Sequence, residues 1–144
     1  MSVLLVRHAE AGDRDRWGPR DDLRPISSKG ETQAEALVDQ LAEFDIGRVL
    51  SSPYLRCTQT VAPLAAARGL RVEPTDDLAE GEGVAGRVLV RGLLDRTGDI
   101  VLCTHGDVIE EVLDGLGVQR DEVTDKGATW ILQRDGARAL SPPG

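Results

Sequence analysis

Short aliphatic runs alternate along this chain with longer stretches whose apolar positions recur every three to four residues. The run Ser2–Arg7 (SVLLVR) has the continuous apolar character of a strand buried on both faces. A polar, charge-rich segment follows from Ala9 to Pro25, and loops of that length inside small domains tend to be functional or disordered. Ser28-Lys29-Gly30-Glu31 carries the S-x-x-E spacing of a capping box. It predicts a helix starting there, with Ala34, Leu37, Val38, Leu41 and Phe44 on its inner face. Gly47 predicts a turn and Arg48–Ser51 a second strand. Ser52-Pro53 sets a capping residue before a proline, so the next helix is expected to open there and to kink or restart at Pro63. Leu70–Glu73 reads as a short third strand, and residues 84–95 as a helix with Val84, Val88 and Leu89 inward. Asp99–Thr104 (DIVLCT) is the most strand-like segment. A helix with Val108, Ile109, Val112, Leu113 and Leu116 inward follows His105-Gly106-Asp107. Gly127–Gln133 and Ala137–Leu140 read as a closing hairpin turned through Asp135-Gly136. Such alternation predicts an α/β chain: a three-layer αβα sandwich around a mostly parallel central sheet. Residues 1–140 are expected to form one domain, with 141–144 a loose tail.

Composition narrows the partners. Trp17, Phe44, Tyr54 and Trp130 are the only aromatics, so the core must be aliphatic, and a base-stacking platform for single-stranded nucleic acid, which needs several surface aromatics, loses ground. Seventeen basic against twenty-five acidic residues leave a formal charge of −8, which argues against nucleic acid polymers and anionic membranes as partners. A small cationic pocket remains compatible with that balance. Cys57 and Cys103 lack CxxC spacing and read as reduced, structural thiols. The apolar run Val3–Val6 is too short for a secretory leader, and no window approaches membrane-spanning length, so a cytoplasmic setting is expected.

The chemistry concentrates at two places. His8 and His105 are the only histidines, and each follows a predicted central strand. Ligands of parallel sheets bind beyond the carboxyl ends of the strands. Arg7 precedes His8, and Arg56 falls in the first turn of the helix after Ser52-Pro53, where a cation opposes the helix dipole unless an anion joins it. Guanidinium forks match phosphate oxygens.

These segments carry a resemblance. Leu5-Val6-Arg7-His8-Ala9-Glu10 is similar to the RHG-type signature of the histidine phosphatase (phosphoglycerate-mutase-like) superfamily, with Ala9 in place of glycine. Ser51-Ser52-Pro53-Tyr54-Leu55-Arg56-Cys57-Thr58-Gln59-Thr60 resembles its SSPxxRxxQT block, and Thr104-His105-Gly106 its strand-ending SHG. The three occur in family order across essentially the whole chain.

The resemblance implies that His8 is a nucleophile forming a phosphohistidine intermediate, with Arg7, Arg56 and His105 around the phosphoryl group and Gly106 beside it. It implies a proton donor at Glu80, with Glu82 two residues on as the alternative and a solvated acidic loop as the structural reading of both. Fixed cations suffice for the transferring charge, so no metal or other cofactor is implied. Arg24 is a candidate substrate contact or an ion pair. Leu23–Ser27 leading into Lys29-Gly30 looks like the small SixA-type phosphohistidine phosphatases. Lys126-Gly127-Ala128-Thr129-Trp130 matches the phosphatase half of proteins that join a Nudix domain to this fold.

The expected activity is phosphohistidine hydrolysis. A phosphomonoesterase acting on a nucleotide or small metabolite is the alternative, so the substrate is a phosphorylated protein or a small phosphorylated molecule. A non-catalytic phospho-ligand-binding module and a Cys₂His₂ metal site are the rival classes.

Overall fold

The computed structural model describes residues 2–144. Six strands form one sheet: β1 (Val3–Arg7), β2 (Ile46–Ser51), β3 (Val72–Pro74), β4 (Asp99–Thr104), β5 (Thr129–Gln133) and β6 (Gly136–Leu140). Their order is β3-β2-β4-β1-β5-β6. The first four in that order run parallel, while β5 is antiparallel to β1 and β6 to β5. This is the mixed, mostly parallel sheet of the expected αβα class.

Side-chain alternation on β1 and β4 builds the two cores. Leu4, Val6, Val101 and Cys103 point to one face and meet α1 (Ser28–Gln40) and α2 (Leu55–Ala67) through Leu37, Leu41, Val61 and Leu64. Val3, Leu5, Ile100 and Leu102 point to the other, against α3 (Gly83–Leu93) and α4 (Gly106–Gly115) through Val90, Val108, Ile109, Val112 and Leu113. Each fully buried aliphatic side chain contributes roughly 1.5–3 kcal/mol over its exposed form. The aliphatic composition is thus spent evenly on both faces of a central strand pair. Among the described residues no helix is long and apolar enough to cross a membrane.

Local details depart from the sequence pattern. Ser27, not Ser28, caps α1: its hydroxyl accepts from the Gly30 amide at 3.1 Å while donating to the Glu10 carbonyl. The tie to Glu10 fixes the cap one residue early. Gly47 lies inside β2, where the ladder shifts register between Ile46 and Arg48, rather than in a turn. Ser52 does not open α2; its hydroxyl takes the Tyr54 amide, and the helix begins at Leu55. That helix continues through the half-buried Pro63 without restarting.

On α3 the inward positions are Gly86 and Val90, with Leu89 partly buried, whereas Val84 and Val88 are exposed. The periodicity was compatible with both faces, and packing against α4 selected the other one. The 9–25 loop is ordered by two short 3₁₀ helices, Arg14–Arg16 and Gly18–Leu23, and by an antiparallel bridge from Ala11 to Ile26. The tail expected to hang loose lies on α1, where the Ser141 carbonyl accepts from Gln40.

The cap assignment is testable by urea unfolding. Ser27→Ala should cost about 1 kcal/mol and Ser28→Ala no more than about 0.3 kcal/mol. Equal losses would return the cap to Ser28.

Candidate active site

Sheet order brings three separated segments side by side. β4 sits between β2 and β1, with Arg7 opposite Thr104 and Ser51 opposite Cys103. Just past these pairs the His8 amide donates to the Thr104 carbonyl and the Ser52 amide to the Cys103 carbonyl. His8, Ser52 and His105 therefore emerge together at the carboxyl edge of the sheet.

His8 is 4% exposed. Its Nδ1 lies 2.9 Å from the Ala9 carbonyl oxygen. A carbonyl only accepts, so Nδ1 carries the hydrogen and Nε2 keeps the free lone pair. Burial pushes the ring down to about 3; the Ala9 bond works against this, and the charges of His105, Arg56 and Arg7 add to it. The imidazole is neutral and its lone pair is available across the physiological range. The methyl of Ala9, where the family signature has glycine, is buried in a small apolar nest with Ile26 and Ala34. The Ala9 amide donates to Thr60 Oγ1, which itself donates to the Arg56 carbonyl, so α2 and the loop after His8 are locked together.

His105 caps α4 and is 1% exposed. Its Nε2 stands 2.8 Å from Ser52 Oγ and 3.5 Å from Cys57 Sγ, and its ring packs edge-on to Tyr54 and to His8. The His8 and His105 ring centroids are 5.5 Å apart. Arg7 donates from Nη1 to the Thr124 carbonyl and lies flat over Gly106. A Cβ on residue 106 would come 2.9 Å from the Arg7 guanidinium carbon, so any larger residue there would shift the guanidinium.

Arg56 is fully buried. Nη1 donates to the Asp21 carbonyl at 2.8 Å, Nη2 lies 3.1 Å from the Asp21 carboxylate and 3.5 Å from Glu80 Oε1, and the guanidinium sits over the Tyr54 ring. Asp21 also takes Arg24 Nε at 2.8 Å. Partial burial opposes its ionisation, but the Arg24 hydrogen bond and the charges of Arg56, Arg24 and Arg14 outweigh it and hold the carboxyl below its ordinary range.

The two residues whose function was left open lie in different settings. Arg24 is buried, committed to Asp21 and to the Gly12 carbonyl, and so braces the loop as an ion pair. Glu80 reaches the site, with Oε1 2.9 Å from Arg14 and 3.5 Å from Arg56. Glu82 instead heads α3, its carbonyl accepting from Gly86. Asp21, Thr60 and Thr124 also hold the site together and were not singled out from sequence. Thr60 lies in the Gln59-Thr60 end of the quoted block; Asp21 and Thr124 sit in irregular segments with no pattern to mark them.

Six buried side-chain nitrogen or oxygen atoms lack a hydrogen-bond partner among the described residues. Three are nitrogens of this site, Arg7 Nε, Arg56 Nε and His105 Nδ1, while Asp21 Oδ2, a carboxylate oxygen, is ion-paired with Arg56 at 3.1 Å. Buried polar atoms left unsatisfied are costly, so their concentration here singles this region out as a candidate site. Among the described residues no group of three or more His, Cys, Asp or Glu side chains is disposed to hold a metal ion.

A family model described as the histidine phosphatase superfamily (branch 1) matches residues 3–87, well over half of the chain. The chain belongs to the histidine phosphatase superfamily. This histidine phosphatase is 36% identical over 156 residues to an 8-oxo-(d)GTP phosphatase of Mycolicibacterium smegmatis, covering 99% of this chain and 48% of that protein. It is 29% identical over 102 residues to phosphoserine phosphatase 1 of Hydrogenobacter thermophilus, covering 67% of this chain and 46% of that one. The chain thus spans less than half the length of either relative. In fold it resembles the protein histidine phosphatase SixA complexed with tungstate, at TM-score 0.80 and 20% identity over 99% of this chain and 97% of that one. It also resembles a mycobacterial glucosyl-3-phosphoglycerate phosphatase complexed with VO3, at TM-score 0.76 and 18% identity over 92% and 90%.

The depressed basicity of His8 has a measurable sign. Unfolded histidine takes up its proton near pH 6.5, and folded His8 only near 3. Between those values the unfolded chain holds the extra proton, so His8 lowers stability as pH falls, by up to about 1.4 kcal/mol per pH unit. His8→Asn removes this term, and its urea-derived stability should fall less steeply than the wild type's from pH 6 to 4. Parallel slopes would mean that His8 is not held neutral.

Proposed function

We propose that this histidine phosphatase hydrolyses small phosphomonoesters, nucleotides foremost, through a covalent phosphoryl group on His8. The single observation that carries the reaction is the set of buried nitrogens without a hydrogen-bond partner, Arg7 Nε, Arg56 Nε and His105 Nδ1, in a site with a neutral His8 whose Nε2 is free. A phosphoryl group in transit spreads charge over three equatorial oxygens, and catalysis is mostly positioning and charge stabilisation.

In the first step Nε2 of His8 bonds to phosphorus, the phosphorus–oxygen bond to the leaving group breaks, and that oxygen takes a proton from Glu80. In the second, water attacks phosphorus, its proton passes to the Glu80 carboxylate, the phosphorus–nitrogen bond breaks and inorganic phosphate leaves with His8 neutral again. Glu80 suits the role by its place: it is counter-ion to Arg56 and Arg14, and an arriving phosphoryl dianion competes with it for Arg56.

Two considerations set the order of substrates. An alkoxide leaving group needs a positioned acid, whereas imidazole leaves readily, so a carboxyl at the mouth supports esters over phosphohistidine. The relative that matches nearly the whole chain at 36% identity is named for a nucleotide substrate, while the SixA likeness, at 20% identity, extends to fold alone. Phosphohistidine hydrolysis, the expectation from sequence, therefore stands second, supported by a site with no long insertion over it. The presence of His8 supports turnover over a phospho-ligand-binding module.

The test compares guanosine monophosphate with a phosphohistidine protein, with wild type and Glu80→Gln. The wild type should prefer the nucleotide in kcat/KM. Glu80→Gln should slow nucleotide hydrolysis by about a hundredfold or more, and phosphohistidine cleavage by less than about tenfold. A wild-type preference for the phosphohistidine protein, with equal losses in the variant, would reverse the order.

A further inference from the structure

Glu80 sits on a conformationally free piece of chain. It opens the run Glu80-Gly81-Glu82-Gly83, where two glycines allow the backbone many settings. A proton donor works only when held within about half an ångström of its productive position, so contacts outside the run must remove that freedom.

The chain before Glu80 is held on its own account. The Thr75 amide donates to the Ser51 carbonyl, Thr104 Oγ1 donates to the Leu78 carbonyl, and the Leu78 side chain is fully buried. Next the Glu82 amide donates to the Ala79 carbonyl at 3.0 Å, which closes a turn with Glu80 and Gly81 as its central pair. Gly81 has φ of +87°, the value that the third residue of a type II turn takes. A type I turn would join the same ends with the Glu80–Gly81 peptide rotated by roughly half a turn. The closing hydrogen bond is common to both forms and does not choose between them. The central amide does: Gly81 N–H donates to Asp107 Oδ2 at 2.8 Å.

Asp107 is exposed in the first turn of α4, two residues after His105. An acid at that place serves its own helix through the dipole alone. Here its carboxylate also reaches across to the glycine that follows Glu80. The bond ties the acid-bearing turn to the strand-to-helix junction that carries His105.

We propose that Asp107 is the positioning residue of the proton donor. By holding the Gly81 amide it keeps the turn in the form that sets the Glu80 carboxyl beside Arg56 and Arg14. The proposal rests on the reading of Glu80 given above, and Asp107 acts through Glu80 and not on the reacting atoms.

Two esters of nearly equal size test it: phenyl phosphate, whose leaving group needs an acid, and p-nitrophenyl phosphate, whose leaving group needs it far less. Asp107→Ala should lower kcat on phenyl phosphate by about tenfold or more and on p-nitrophenyl phosphate by less than about threefold. Asp107→Asn keeps an acceptor oxygen for Gly81 without the charge, and should restore most of the lost rate. Placed in a Glu80→Gln background, Asp107→Ala should cost less than about twofold more. Equal losses on the two esters, no rescue by asparagine, or a full further loss in the Glu80→Gln background would each overturn the proposal, leaving Asp107 a helix-stabilising acid. Glu80→Gln on the same pair separates the two readings. If it discriminates between the esters and Asp107→Ala does not, only the positioning role falls. If Glu80→Gln itself slows both alike, the proton donor is not Glu80 and both readings fall.

Discussion

The Arg56 guanidinium, wholly withdrawn from solvent, is the constraint on which the rest of the site depends. A buried cation is tolerated only when it is paired and hydrogen-bonded. Asp21 supplies a carbonyl and a carboxylate, Glu80 a second carboxylate and Tyr54 an aromatic face. Each brings its own segment with it. Asp21 orders the long loop and, through Arg24, closes it onto Gly12. Glu80 draws the segment after β3 toward the mouth. What remains without a hydrogen-bond partner is Arg56 Nε, with Arg7 Nε and His105 Nδ1.

The sheet does the arranging. With β4 between β1 and β2, the ends of three motifs separated by dozens of residues become neighbours without any long excursion of the chain. Both cores press on this same strand pair, so the positions of His8 and His105 are set by the best-packed part of the molecule.

Where packing and chemistry coincide on regular elements, sequence was sufficient. The residues of β4 were legible to their boundaries because a fully buried strand must be continuously apolar. His8 and His105 were legible because each terminates such a run. The inner face of α4 was legible for the same reason. On α3, by contrast, valines at 84 and 88 mimic an inward face that the structure gives to Gly86 and Val90. A glycine that admits a neighbouring helix leaves no hydrophobic signal. Ser27 and Ser28 are equivalent in pattern, and only the long-range bond to Glu10 distinguishes them. Asp21 lay in a charge-rich loop where any of several acids had equal claim. Its selection depends on the reach of Arg56, which is a tertiary fact. Gly127 likewise declares its backbone role only once the carbonyls of Arg7 and His8 are beside it.

The central claim is that a neutral, buried His8 is the group that takes the phosphoryl. Rapid quenching during turnover of a ³²P-labelled nucleotide, followed by peptide mapping under alkaline conditions, tests it most directly. The account predicts one acid-labile, base-stable phosphoryl group, on Nε2 of His8, absent from His8→Ala. A label on any other residue, or turnover by His8→Ala at the wild-type rate, would contradict it.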